Sequence, residues 1–263
     1  MFKSKNINFI ASKPFFIFEI ENFLNQNLYN NLNKNFPFRE NHLKNLTDFK
    51  NGKFAFDTTT KIYKDLLQTN VYVKELHDLV YSKKFFNFFY KKLFFKFISS
   101  RKNSKRHLLK LIRPPKLVTE INKDSIDYYL NIFTKIKIEI QYSYIKNLGK
   151  IVPHTDSGEK LLSLMLYFPD YEDKKNIELK KKEKKYGTIF WDSNFSNFNN
   201  LHQEGINELN FIKDINNKIL YKTEFLGNNL QGFIKNPYSW HSVEPQNVIE
   251  NYVRKSININ FYF

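Results

Sequence analysis

From Lys135 to Tyr144 the chain alternates without a break. Ile136, Ile138, Ile140, Tyr142 and Tyr144 fall on one side, and Lys135, Lys137, Glu139, Gln141 and Ser143 on the other. Residues two apart on extended chain share a face, so the pattern predicts a strand with one face turned to a core. Shorter apolar runs at Leu161–Phe168, Thr188–Trp191 and Leu230–Ile234 predict more strands, and Val253–Phe263 alternates again. The first half has a different period. After an extended stretch around Phe15–Ile20, Leu24, Leu28, Leu32 and Phe36 recur every four residues until Pro37. A second helical pattern starts after Thr69-Asn70, passes Val73, Leu76, Leu79 and Val80, and continues into the aromatic stretch Phe85–Ile98. Asp124 or Ser125 could cap a third, short helix through Tyr128-Tyr129. Asp170–Lys185 and the Asn-rich stretch Asp192–Asn217 read as surface connections. Helices first and antiparallel-looking strands after predict one α+β domain over residues 1–263. Its mainly helical support is 1–134, and its sheet sandwich or barrel is 135–263.

Composition localises one oddity. The 263 residues are 41% hydrophobic and carry a net charge of +16, but Lys83–Lys116 holds twelve basic residues and no acidic one. The other 229 residues, with thirty basic against twenty-six acidic, are nearly neutral. Ala occurs only at Ala11 and Ala55 while Asn, Lys, Ile and Phe crowd the chain, the bias of an AT-rich genome, so composition alone says little about function. There is no cysteine, which excludes a disulfide framework, a thiolate metal site and a cysteine nucleophile and leaves any metal to His and carboxylate. Lys3, Lys5, Lys13 and Pro14 break the apolar residues of Met1–Phe23, and no uncharged apolar window approaches 18 residues. Neither a signal peptide nor a membrane span is expected, and the expected location is the cytoplasm.

Two stretches match the H-x-[D/E] spacing: His154-Thr155-Asp156 and His202-Gln203-Glu204. The first stands between two predicted strands, where residues two apart point the same way and can reach one metal ion. The second lies in the Asn-rich connection and reads as solvated surface. Two His and one carboxylate on one face of a metal leave adjacent positions open, the arrangement of Fe(II) oxygenases. The best third ligand is His241, in Pro237-Tyr238-Ser239-Trp240-His241-Ser242-Val243. Thirteen residues later comes Arg254, on a strand where Arg254, Ser256, Asn258 and Asn260 share the face opposite Ile257, Ile259 and Phe261. An Arg beside a metal ligand could clamp a carboxylate with two N–H donors.

At these residues the sequence resembles the iron(II)- and 2-oxoglutarate-dependent oxygenases, in their prolyl-4-hydroxylase-like branch. The matching pieces are IQYSYIKNLGKIVPHTD, LSLMLYFPD, YGTIFWDS, GFIKNPYSWHSVEPQ and RKSININFYF, in that order, with PFFIFEIENFLNQNLYNNLNKNFP as an opening. The resemblance implies a double-stranded β-helix (jelly-roll) core in the C-terminal half, buttressed by N-terminal helices. It implies that His154, Asp156 and His241 are the catalytic iron ligands. Arg254 and Ser256 would bind the distal carboxylate of 2-oxoglutarate, with Tyr167 assisting it and Tyr144 lining the cosubstrate pocket. The implied cofactors are Fe(2+), 2-oxoglutarate and O2, and the implied reaction couples oxidative decarboxylation of 2-oxoglutarate to succinate with C–H hydroxylation. Its substrate would be a peptidyl proline, amino acid, glycan or other small metabolite. The His-to-Arg spacing of 13 is longer than is common in that branch, with Asn247–Asn251 reading as an extended hairpin tip.

The basic band opens two other readings. On a helical wheel Phe86, Phe89, Tyr90, Leu93 and Phe97 form a core-facing stripe, whereas Phe88 and Phe95 fall among Lys84, Lys91 and Lys92. Aromatics between lysines suit a weak anionic partner, a membrane surface or nucleic acid, and equally an ordinary solvated face. An oxygenase acting on nucleic acid is one alternative, weakened because the nucleobase-demethylase branch carries a second Arg where this chain has Asn260. A metal-free barrel that only binds, through the band, is the other.

Overall fold

The structure, a computed structural model, describes residues 6–37, 52–102, 104–118, 133–170, 177–194, 214 and 217–263. The expected short helix after Asp124 and the His202-Gln203-Glu204 triplet lie outside the described residues. Among the described residues five helices occur in the first half: α1 (Gln26–Lys34), α2 (Lys61–Thr69), α3 (Val71–Val80), α4 (Lys83–Ser100) and α5 (Lys105–Leu111). Small polar residues set their starts. Thr60 Oγ1 accepts from Tyr63 N and begins α2. Asn70 ends α2 and accepts from Tyr72 N and Val73 N to begin α3, and Ser82 Oγ accepts from Phe85 N to begin α4. The single helical pattern read from Val73 to Ile98 is thus two helices broken at Tyr81-Ser82. A sixth helix, α6 (Ile177–Lys184), occupies the charged stretch expected to be mere connection, and it buries Glu183.

The strands form two sheets. Named in chain order they are β1 (Asn8–Ala11), β2 (Ile17–Ile20), β3 (Lys53–Asp57), β4 (Pro115–Val118), β5 (Thr134–Lys146), β6 (Ile151–His154), β7 (Lys160–Tyr167), β8 (Ile189–Asp192), β9 (Lys218–Lys222), β10 (Leu230–Ile234), β11 (His241–Val243) and β12 (Val253–Tyr262). The larger sheet runs β1-β2-β10-β7-β12-β5-β3, with β4 parallel to β5 beside β3; the smaller runs β6-β11-β8-β9. All the other pairings are antiparallel. From β5 onward the chain passes back and forth between the sheets, and β12 runs between β5, paired from Val253 to Tyr262, and β7, paired from Ser256 to Tyr262.

The central strands divide their residues by face. Ile136, Ile138, Ile140, Tyr142 and Tyr144 of β5, Leu162, Leu164 and Leu166 of β7, and Ile257, Ile259 and Phe261 of β12 pack in one cluster with Leu28, Leu32, Val73, Leu76, Phe85, Phe89 and Leu93 of the helices. Phe85 and Phe86 both stack on Phe261. Each such side chain contributes about 1.5–3 kcal/mol by burial, which is what holds the helical layer on the sheet. Among the described residues, no helix is long and apolar enough to cross a membrane.

The basic band splits on inspection. The stripe Phe86, Phe89, Tyr90, Leu93, Phe97 is buried as its spacing requires, and Phe95 is 79% exposed. Phe88 is half-buried, edge-on to Phe89 and capped by Lys92 Nζ 4.8 Å from its ring. Farther along, Lys110 and Arg106 pair with Glu159 at 2.7 and 3.1 Å, and Arg101 is buried with its guanidinium donating to the Lys160 carbonyl. This half of the band braces the chain just beyond Asp156 rather than facing only solvent.

Candidate functional site

Pairing of β6 with β11 sets His154 directly opposite His241, with ring centroids 4.2 Å apart. Asp156 follows two residues after His154, and the ligand atoms of the three residues all lie within 4.8 Å of one another. Each ring is oriented from behind: Nδ1 of His154 lies 2.8 Å from the Val152 carbonyl and Nδ1 of His241 3.1 Å from that of Ser239. A carbonyl only accepts, so each Nδ1 carries the hydrogen and each Nε2 keeps the lone pair a metal needs. The turn before His241 is fixed by Asn236, whose Oδ1 accepts from Tyr238 N, whose carbonyl accepts from Ser239 Oγ, and whose Nδ2 donates to the Pro14 carbonyl, each at 2.8 Å.

The charge states suit a cation. Burial, reinforced by His241, pushes the His154 imidazole down to about 3, and burial likewise lowers His241, so both are neutral at pH 7. Burial alone would raise the Asp156 carboxyl, but Lys160 and the two histidines hold it well below the usual carboxylate range. Lys160 Nζ sits 3.0 Å from Asp156 Oδ1, while Oδ2 accepts from Ser163 Oγ at 3.1 Å and lies 3.9 Å from His241 Nε2. Two neutral imidazoles and one ionised carboxylate oxygen on one side form a donor set that fits Fe(II).

The three residues line a cavity of about 90 Å³ between the sheets. The polar stripe of β12, Arg254, Ser256, Asn258 and Asn260, lines it together with Gln141 and Ser143 of β5 and Ser163 and Met165 of β7. Asn260, near the end of β12, lies 3.0 Å from the Ser163 hydroxyl that serves Asp156. Arg254, six residues earlier on the same face of β12, lines the same cavity from the opposite end of that stripe. The cavity therefore has an imidazole–carboxylate end and a guanidinium end.

Arg254 is 3% exposed, which for a cation demands partners. Its Nε donates to the Tyr186 carbonyl at 2.7 Å and Nη1 to Ser256 Oγ at 3.3 Å. Its guanidinium lies 4.8 Å from the centre of the Phe225 ring and 5.1 Å from that of Tyr167. Burial lowers its pKa most, and the Tyr167, Tyr186 and Tyr252 hydroxyls are the largest influences opposing it. Nε and Nη1 are thus fixed, and among the described residues no carboxylate pairs with this guanidinium, which lines the cavity, an arrangement that can receive a carboxylate.

The tyrosines correct the expectation. Tyr144 does not line this cavity: it belongs to the helix-facing side of β5, with its hydroxyl donating to the Pro37 carbonyl at 2.9 Å and its ring against Phe36 and Phe54. The alternation was read correctly, but the apolar face packs on the helices and it is the polar face, Gln141 and Ser143, that turns inward. Tyr167 sits beneath Arg254, and its hydroxyl lies 2.9 Å from Thr188 Oγ1 and 3.2 Å from Thr223 Oγ1. It holds the guanidinium from below. The close approach of these threonines needs Gly187, where a Cβ would fall 1.9 Å from the Thr223 carbonyl oxygen. Lys255, the next residue along β12, points to the other face and pairs with Asp170.

Two cavity lysines were not anticipated. Lys160 opens β7 one helical-turn spacing after Asp156, a pairing distance that the sequence did contain. Lys53 comes from β3, which no pattern announced; it lines the cavity, lowered by burial while the charge of Asp156 supports it.

No family model and no curated protein sequence matches the chain. Among solved structures it is similar to a prolyl-4-hydroxylase from Pseudomonas putida at 10% identity and a TM-score of 0.45, covering 95% of this chain and 93% of that one. HygX from Streptomyces hygroscopicus, solved with nickel, 2-oxoglutarate and hygromycin B, is similar at 7% identity and a TM-score of 0.40 over 94% and 82% of the two chains. SnoN, a non-heme alpha-ketoglutarate-dependent epimerase from nogalamycin biosynthesis, is similar at 7% identity and a TM-score of 0.42 over 94% and 76%. At these scores the likeness is loose, and the chemistry rests on the chain's own residues.

Proposed function

We propose that this chain is an iron(II)- and 2-oxoglutarate-dependent oxygenase, a single domain whose two sheets make a double-stranded β-helix core on a helical support. The observation that carries the reading is one cavity with His154, Asp156 and His241 gathered at one end and, at the other, a buried Arg254 that has no ion pair among the described residues. His154 Nε2, His241 Nε2 and Asp156 Oδ2 would hold the metal, while Lys160 and Ser163 keep the carboxylate aimed. Iron(II), when bound, couples decarboxylation of 2-oxoglutarate by O2, to succinate and CO2, with hydroxylation of a substrate C–H bond. Arg254, steadied by the Tyr186 carbonyl, Ser256 and the Tyr167 and Phe225 rings, would receive the distal carboxylate of 2-oxoglutarate. The walls of Met165, Phe233 and Val243 keep bulk water from the reacting atoms. The substrate class is a peptidyl proline, an amino acid, a glycan or a small metabolite.

The test is release of succinate from 2-oxoglutarate with Fe(II), against a panel of proline peptides, amino acids, sugars and nucleotides. Wild-type protein is expected to turn over with one class of the panel, and Asp156→Ala to be inactive. Succinate release by Asp156→Ala at the wild-type rate rules the reading out.

A further inference from the structure

A second, larger cavity of about 370 Å³ is walled by the turn between β1 and β2, the end of α4, Gly158, and the loop Asn236–Tyr238 that leads to His241. Its lining includes the cations Lys13, Arg101, Lys102 and Lys235, with His107 beside them, and no acidic residue among those described. Two of the cations are buried, and among the described residues neither is in a direct ion pair. Lys235 is 2% exposed, and its Nζ donates to the Asn236 carbonyl at 2.9 Å. Arg101 is 5% exposed; one end of its guanidinium donates to the Lys160 carbonyl, but its enclosed Nε has no hydrogen-bond partner. An enclosed cationic donor without an acceptor is costly, so it marks a place where an acceptor belongs. Glu159, the carboxylate whose charge acts on Arg101, is already committed to Lys110 and Arg106. Burial, with Arg101 and Lys160 adding to it and the charge of Asp156 only partly opposing, pushes the Lys235 ammonium down to about 7, a tension that a bound anion would relieve further.

We propose that this cavity binds the anionic group of a small molecule, a phosphate or a carboxylate, with Arg101 Nε and Lys235 Nζ as its buried donors and the exposed Lys13 and Lys102 at its rim. The site needs no metal. Because Gly158 and Asn236–Tyr238 flank Asp156 and His241, an anion there also holds the loops carrying two of the ligands, and anion and metal then tighten one another by linkage. That places the cavity to receive the charged end of the substrate.

Inorganic phosphate and acetate are titrated separately into the full chain without added metal, at an ionic strength held constant with NaCl. The readouts are affinity by calorimetry and the Arg101 Nε–H resonance, identified from the Arg101→Lys spectrum. The expected result is saturable binding of at least one anion with a shift of that resonance, weakened at least about ten-fold in Lys235→Gln. The double variant Lys13→Gln/Lys102→Gln changes exposed positions alone and is expected to weaken binding about three-fold, so a folding failure of Lys235→Gln still leaves a test. A response to phosphate alone assigns a phosphate ligand, and a response to acetate alone a carboxylate. Saturation by neither anion, a motionless Arg101 resonance, or wild-type affinity in both variants overturns the proposal. Binding that persists in protein unable to take up Fe(II) would keep this cavity while removing the oxygenase reading.

Discussion

The two faces of β12 are buried to nearly the same degree and are governed by different physics. Ile257, Ile259 and Phe261 are fully buried against the helices; Arg254, Ser256 and Asn260, at 3%, 2% and 4% exposure, are buried against the small sheet. On the helix side Ile257, Ile259 and Phe261 pack in an apolar cluster and burial is itself the stabilising force. On the cavity side burial costs free energy, and the residues are held by an ordered set of hydrogen bonds around a space the chain itself does not fill. The lesson is that burial alone does not separate core from site. What separates them is whether a buried polar group finds its full complement of partners within the chain.

The largest expected effects come from crossing that divide at the ligands. Asp156→Ala or His241→Ala should weaken Fe(II) binding at least about 100-fold, read by anaerobic equilibrium dialysis, because three donors become two. On the other face, Ile259→Ala should lower unfolding free energy by about 2–5 kcal/mol in urea titrations and leave Fe(II) affinity per folded molecule unchanged. If Ile259→Ala instead abolished metal binding in folded protein, the two faces would not be separable.

Arg254→Met is the intermediate case. It removes a charge-assisted carboxylate site worth about 1.5–3 kcal/mol, so 2-oxoglutarate affinity should fall roughly 10- to 100-fold by calorimetry, with Fe(II) binding kept. Acid should weaken the cavity side specifically. His154, ordinarily near 6.5, is held at about 3, so between those values the unfolded chain binds a proton that the folded chain refuses, and stability declines as pH falls. For His154 alone that deficit at pH 5 is about 2 kcal/mol relative to pH 7 in metal-free protein, and His154→Gln should make the profile shallower, with His241, also lowered by burial, keeping part of the slope. Asp156, depressed in the fold, adds to the same trend only below about pH 4, where the unfolded carboxylate begins to protonate. The smallest effect belongs to neither face: Phe95→Ser, on the exposed side of α4, should change stability by less than about 0.5 kcal/mol.

Much of this division was legible in the sequence. Period-two alternation located β5 and β12 and assigned Arg254, Ser256, Asn258 and Asn260 to one face, because long central strands bury both faces and so keep a clean pattern. The short spacing of His154 and Asp156, and a Pro-containing turn before His241, marked the three residues that the structure gathers. The alternation could not say which neighbour each face would meet, so nothing in it could correct the family resemblance, which implied that Tyr144 lines the cosubstrate pocket although it packs on the helices. Strands of three to five residues such as β3, β6 and β11 are too short to show a period, so Lys53 arrived unannounced. The α3–α4 break was hidden because apolar spacing continues across it, while the Ser82 cap that causes it is a single residue.

Calorimetric titration of 2-oxoglutarate into anaerobic, Fe(II)-loaded protein tests most directly the claim that the cavity joins a metal end to a carboxylate end. One molecule should bind per chain in the wild type, with affinity lost in both His154→Ala and Arg254→Met while Arg254→Met still carries one Fe(II). Failure of the wild type to retain Fe(II), or equal 2-oxoglutarate affinity in Arg254→Met, would contradict it.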